Sequence, residues 1–186
     1  MIMAVGLGAY ASGMFMLMAH AFYKAALFLA AGIIIHALHD EQSLDRMGGL
    51  KKYLRVALFG MGTGALAMAG IPGFSGFFAK DDVLAAALNG GSIGVICWVI
   101  GMVGAFLTAL YMFRLLFRAF FGPEPAGGYQ PAPHPSRWWM SVPVVILGVL
   151  SIVGGWLQIP FGWTGMSEWL EPVIGQSTGL LEPTHG

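Results

Sequence analysis

Gly70-Ile71-Pro72-Gly73-Phe74-Ser75-Gly76-Phe77-Phe78-Ala79-Lys80-Asp81-Asp82 interrupts an otherwise apolar segment running from Tyr53 to Leu88. About 36 residues of helix would be roughly 54 Å long, well beyond a hydrocarbon core of about 30 Å. The segment must therefore tilt, break or run past the membrane, and Gly70, Pro72, Gly73 and Gly76 say where it breaks. A break at that depth frees backbone carbonyls and amides that lipid cannot satisfy, so it has to face protein or water. Lys80 follows by about one helical turn or two, and an ammonium there costs about 3 kcal/mol or more unless it meets water or a partner. A broken helix carrying a lysine reads as an ion pathway.

Composition supports this setting. The chain has 186 residues, of which 57% are hydrophobic and 10% charged, and a mean hydropathy of +0.74. Those values indicate an integral membrane protein whose length allows four or five crossings and no separate soluble domain. Zero net charge without a basic tail gives no sign of nucleic acid. A single cysteine, Cys97, rules out an intrachain disulfide and the cysteine-based metal and redox motifs. No phosphate loop, nucleophile triad or metal cluster is visible.

The reading is an all-α integral membrane bundle of about four complete transmembrane helices plus the end of a preceding one, with broken helices. Residues 1–175 form the membrane region and 176–186 a polar tail. Met1 to Gly8 reads as the tail of an earlier helix, and it lacks the basic lead-in and cleavage site of a signal peptide. Ala11 to Leu38 is the first complete span, Tyr53 to Leu88 the broken one and Ile93 to Phe121 the next. Five prolines between Gly122 and Ser136 make a loop. The last span, about Arg137 to Ile159, is bracketed by Trp138 and Trp139 at one end and Trp156 and Trp163 at the other, as in interfacial aromatic belts. Ser167 to Leu170 begins a short interfacial helix. The glycines of Gly60-Met61-Gly62-Thr63-Gly64, with Gly148, Gly154 and Gly155, read as helix contact surfaces, and the methionines as adaptable packing.

Arg46, Lys51, Lys52, Arg55, Arg114, Arg118 and Arg137 all fall in the loops at 40–55 and 114–137, on one side after alternate crossings. The opposite side holds no Lys or Arg. The positive-inside rule makes the basic loops cytoplasmic and both termini external, leaving only Lys24 and Lys80 as cations within the bilayer. His20 and Lys24, at i,i+4, share a helix face near mid-membrane, where a titrating imidazole and a desolvated amine suit proton relay. The plainer reading is a structural histidine beside a neutral lysine. For Lys80 the plainer reading is a stem that snorkels to the interface, against which stand the break before it and the acidic pair after it. Asp81 and Asp82 are either its counter-charges or line an external vestibule. His36 lies about one turn from the polar loop, and His39, His134 and His185 read as solvated.

The run His20-Ala21-Phe22-Tyr23-Lys24-Ala25-Ala26-Leu27-Phe28-Leu29 resembles a signature of the antiporter-like membrane subunits of respiratory complex I. His36-Ala37-Leu38-His39-Asp40-Glu41-Gln42, Arg46-Met47-Gly48-Gly49-Leu50 and the Gly70 to Asp81 run are similar to the distal member of that group. The likeness is specific from Met1 through about Gly122 and looser to Ile159. It implies a proton-translocating subunit of a bacterial NADH:quinone oxidoreductase in the inner (plasma) membrane, one third or so of a longer protein. It implies no redox cofactor on this chain, with FMN, iron–sulfur clusters and quinone on other subunits. Its partners would be the other membrane subunits, above all the neighbouring antiporter-like one, and lipid.

On that resemblance His20, Lys24, His36, Lys80 and Asp81 lie on the proton pathway, with Lys80 on the second broken helix and His20 and Lys24 on the first broken helix of the same repeat. Met16 stands where such subunits often carry a further histidine. Rival readings are the large subunit of a multisubunit cation/proton antiporter, which shares the buried lysines, and a truncated membrane scaffold that transports nothing.

Overall fold

The computed structural model describes residues 1–125, 128, 129, 132–134, 136–157 and 168–173, and these are helical with no strand among them. Helix α1 is Ile2–Gly6 and α2 is Tyr10–Ala37; α3 is Arg55–Ala69, α4 is Ser75–Leu88, α5 is Gly91–Leu116 and α6 is Trp138–Val153. Helix α5 continues into a π-helical turn, Phe117–Phe121, and α6 into a tight turn, Gly154–Leu157. Residues 168–173 form one further short helix, placed where the interfacial helix was expected. Trp163, His185 and the polar tail lie outside the described residues.

Three helical stretches are long and apolar enough to cross a membrane: Tyr10–Ala37, Gly91–Phe121 and Trp138–Leu157. The fourth crossing is made in two pieces. Helices α3 and α4 have 15 and 14 residues, or about 22 and 21 Å, so neither spans about 30 Å alone. They run in succession along α2 and α5. The start of α3 packs Ala57 and Met61 against Ile33, Ile34 and Ala30 of α2, while Ala67 and Ala79, on either side of the break, meet Tyr23, Ala19 and Phe15. The broken span is thus observed, beginning at Arg55.

One expectation is corrected here. The span that carries His20 and Lys24 is a single unbroken helix of 28 residues, Tyr10–Ala37. Gly32, the one interior residue after Lys24 able to loosen it, has nothing within 4 Å of where a Cβ would stand, so no neighbour wedges the helix open there. The irregular backbone comes earlier, at Leu7–Ala9 between α1 and α2, where Gly8 has φ +76°.

Lipid tails give apolar helices no hydrophobic reason to associate, so close van der Waals packing has to hold the bundle together. The glycines supply it. A Cβ on Gly60 would stand 2.2 Å from Val144 Cγ1, one on Gly64 2.7 Å from Leu27 Cγ, and one on Gly148 2.7 Å from Phe59 Cε1. These approaches lock α2, α3 and α6 into one core with Leu27, Ala30, Ile33, Met61 and Val144. Helix α5 packs on α3 and α4 through one side only, leaving Ile93, Ile96, Ile100, Val103, Phe106 and Leu110 exposed.

The two basic loops meet at one end of the bundle. Lys52 Nζ donates to Glu124 Oε1 at 2.9 Å, and Arg118 pairs with Asp45 at 2.5 Å. The Tyr129 hydroxyl donates to the Gly48 carbonyl at 2.7 Å and accepts from the Gly48 amide at 2.8 Å. Glu41 accepts from the Ser43 amide and from Arg46.

Two predictions follow from this packing and this clamp. Gly60→Leu, forced against Val144, should cost about 1–3 kcal/mol, read as a lowered thermal midpoint in detergent, whereas Gly62→Ala, with nothing within 4 Å, should leave the midpoint unchanged. The Ser43 amide and then Arg46 hold the Glu41 carboxyl below 4.5, and the hydrogen bond to Glu124 holds Lys52 above 10.5. Glu41's stabilising contribution is therefore present above pH 4.5 and lost as pH falls through its lowered value. That of Lys52 is full below pH 10.5 and lost as pH rises through its raised value. Side-chain NMR titrations should find midpoints displaced in those directions, and a Lys52 midpoint at 10.5 would show that the loops do not dock.

Candidate functional site

The break between α3 and α4 has to solve a donor shortage. The last carbonyls of a helix lack intrahelical partners, and here they lie inside the membrane span. Gly70 adopts the left-handed conformation, φ +81° and ψ +40°, which an L side chain resists. That turn lets the Gly70 amide reach the Ala67 carbonyl and the Ile71 amide reach the Leu66 carbonyl, both at 3.1 Å. The Met68 carbonyl would ordinarily receive the amide of residue 72. Residue 72 is proline and has none to give.

Lys80 fills that vacancy. Its Nζ donates to the Met68 carbonyl at 2.5 Å, and its Cδ lies 3.5 Å from the Cβ position of Gly70, so the stem lies over the break and the ammonium returns to it. Gly76 makes the approach possible: a Cβ there would sit 1.8 Å from the Ala67 carbonyl oxygen, so any side chain would push α4 off the end of α3. Across the break, Trp156 Nε1 donates to the Gly73 carbonyl at 3.2 Å, tying the turn after α6 to the loop.

Lys80 also borders a cavity of about 270 Å³ whose walls include Met16, Val83, Leu84, Gly104 and Thr108. Met16 precedes His20 by one turn of α2, while His20 and Lys24 themselves do not line this cavity. Both of these side chains are half-buried. The His20 ring meets the edge of Tyr23 at 5.3 Å between centroids, and the Lys24 ammonium lies 5.7 Å from the Phe28 ring. Thus the cavity joins Lys80 to α2 at Met16, while the Lys24 ammonium reaches along α2 toward Phe28.

The other expected site residues fall elsewhere. Asp81 is exposed, and Asp82 is partly buried one position further along α4. His36 is exposed at the opposite end of the bundle, with its ring 4.7 Å from that of His134, which is in turn 5.6 Å from His39. His39 and His134 were expected to be solvated; His39 is exposed and His134 half-buried, and the structure brings both rings beside that of His36. Nothing in sequence spacing signals a contact between positions 36 and 134. Sequence reasoning also passed over Met68 and Tyr111, whose hydroxyl donates to Met68 Sδ at 3.6 Å. Pro72, four residues after Met68, was the available signal for the first. Among the described residues no group of three or more His, Cys, Asp or Glu side chains is arranged to hold a metal ion.

A transmembrane family described as NADH:quinone oxidoreductase/Mrp antiporter matches residues 1–108, more than half of the chain. The chain belongs to that family. Its relatives include NADH-quinone oxidoreductase subunit L of Mycobacterium tuberculosis (strain ATCC 25618 / H37Rv), 40% identical over 190 residues, an alignment that takes in 100% of this chain and 29% of the relative. Subunit L of Escherichia coli (strain K12) is 40% identical over 189 residues, covering 100% of this chain and 28% of that one. The chain thus spans under a third of the length of these relatives. Among solved structures, the Mrp complex from Dietzia sp. DQ12-45-1b matches with a TM-score of 0.71 at 25% identity, over 94% of this chain and 40% of that one. The family member described here is therefore a membrane protein with the helical fold of the antiporter subunits.

Pro72→Ala should return an amide to the Met68 carbonyl in competition with Lys80. Losing about one hydrogen bond should raise the rate at which an amine-reactive reagent labels Lys80 by roughly two- to tenfold. An unchanged rate would show that the proline does not reserve that carbonyl for the lysine.

Proposed function

We propose that this chain is part of the distal proton-translocating membrane subunit of a bacterial NADH:quinone oxidoreductase. The observation that carries the reading is Lys80, held at a helix break inside a membrane span beside a cavity that reaches α2 at Met16, one turn before His20. A lysine so placed is stable as an ammonium only while the break carbonyl or water receives it, so a small change in hydration or nearby charge is enough to move its proton. Quinone reduction elsewhere in the complex supplies that change, and His20, Lys24 and Lys80 pass the proton outward through water near the break. Asp81, exposed on α4, offers an acceptor on the external side, and His36 with its neighbouring imidazoles a titrating group at the cytoplasmic end.

The chain carries out no redox step: flavin, iron–sulfur clusters and quinone belong to other subunits. Its neighbours are the adjacent antiporter-like subunit and the lipid of the inner membrane, with loops 40–55 and 114–137 cytoplasmic and both termini external. The likeness to the Mrp complex favours one further reading, a cation/proton antiporter subunit. Sodium-dependent exchange in vesicles, without NADH-linked proton movement, would favour that second reading.

In the intact complex, Lys80→Met should lower proton translocation more than NADH oxidation. An unchanged proton-to-electron ratio would remove Lys80 from the pathway and leave the chain a scaffold.

A further inference from the structure

Residues 70–74 join the end of α3 to the start of α4, and two of them, Gly70 and Gly73, take left-handed φ values of +81° and +93°. Glycine has the widest choice of φ, so a loop bracketed in this way has little stiffness of its own. Ile71, Pro72 and Gly73 are also exposed, and the core of the bundle does not clamp them. Yet this loop sets where the Met68 carbonyl stands relative to Lys80 on α4. A side chain from another helix reaches it: Trp156 Nε1 donates to the Gly73 carbonyl at 3.2 Å. The turn that carries Trp156, Gly154–Leu157, is keyed into its surroundings on two sides. A Cβ on Gly155 would stand 2.5 Å from Cα of Ser75, the wholly buried first residue of α4, and 2.8 Å from Phe78 Cδ2. One on Gly154 would stand 3.1 Å from the Phe22 ring of α2. The indole is therefore presented to the loop from a fixed base.

We propose that Trp156 is a positioning residue for Lys80, holding the Gly73 carbonyl so that the loop of the break keeps the Met68 carbonyl within the lysine's reach. The inference rests on the proton-translocating reading above. A tryptophan at a membrane interface ordinarily serves as an anchor, its ring set at headgroup level. Trp156 is 53% exposed, as an anchor would be, but its N–H is spent on a backbone carbonyl of the chain. Lipid offers that carbonyl no donor at a break within a span, and the indole supplies one. Indole nitrogen donates and does not accept, so Trp156 steadies the loop without competing for the lysine's proton. Released from it, the glycine-bracketed loop would let the Met68 carbonyl move away from Lys80, and the lysine would spend more of its time open to water.

The experiment uses the intact membrane complex in proteoliposomes, comparing Trp156→Phe, Trp156→His and Lys80→Met, with NADH oxidation as the check on assembly. Phenylalanine keeps an apolar ring and removes the N–H. Histidine loses the second ring, but its Nε2–H falls where the indole Nε1–H stood. Two quantities are read: the rate at which an amine-reactive reagent labels Lys80, by peptide mass spectrometry, and the proton-to-electron ratio. Positioning predicts that Trp156→Phe raises the labelling rate by roughly two- to tenfold, on the scale of one hydrogen bond, and lowers the ratio, while Trp156→His returns both toward the wild type. If Trp156→Phe leaves the labelling rate unchanged, or if both Trp156 variants raise it equally, the positioning role is overturned, and a lowered ratio in Lys80→Met would leave the proton-translocating reading standing. If Trp156→Phe raises labelling and Trp156→His restores it while Lys80→Met leaves the ratio unchanged, the contact stands and the proton-translocating reading falls.

Discussion

A carbonyl without a donor, inside a membrane span, sets the arrangement of this chain. Pro72 withholds the amide that Met68 would have received, and an unsatisfied backbone group at that depth costs several kcal/mol. Lys80 has the complementary difficulty, a charge in a place that cannot solvate it. Their contact at 2.5 Å answers both at once. The geometry it needs explains much around it: left-handed Gly70 to turn the chain, Gly76 to let α4 start against the end of α3, and Trp156 to hold the loop from the side. Because the lysine's partner is a neutral carbonyl, the contact does not fix its charge as an ion pair would.

The rest of the bundle provides a frame for that contact. Helices α2, α3 and α6 approach through Gly60, Gly64 and Gly148, so the break is anchored against a core that cannot slide. Helix α5 is different. It lies against α3 and α4 along one side and exposes a broad aliphatic surface on the other, while Thr108 lines the cavity beside the break and the half-exposed Tyr111 donates to Met68 Sδ. At the loop end, ion pairs and the doubly bonded Tyr129 join segments more than 70 residues apart, fixing the ends of α2, α3 and α5 relative to one another.

The broken crossing was legible in the sequence because its signals are local: four Gly or Pro residues in seven and a lysine that no lipid-facing site tolerates. Helix contacts at the glycine-rich runs were legible for the same reason, and counting crossings put the two basic loops on one side, though not the ion pairs that join them. What the sequence hid depends on distant parts of the chain. The histidine group at 36, 39 and 134 depends on ring contacts between distant parts of the chain, and no periodicity records that. The span of His20 and Lys24 was read as a broken helix on family likeness alone, although no glycine or proline interrupts the residues from Phe15 to Ala31, and α2 runs continuously through them. Tyr111 looked like one more aromatic on an apolar span; only the fold brings it to Met68.

High-resolution electron cryomicroscopy of the native complex, with ordered water visible, would decide whether Lys80 serves the break or merely reaches for the membrane surface. The proposed arrangement requires density for the Lys80 ammonium within hydrogen-bond distance of the Met68 carbonyl or of water in the cavity beside Thr108. A Lys80 side chain extended to the headgroup region, over a dry cavity and a Met68 carbonyl satisfied by some other donor, would contradict it.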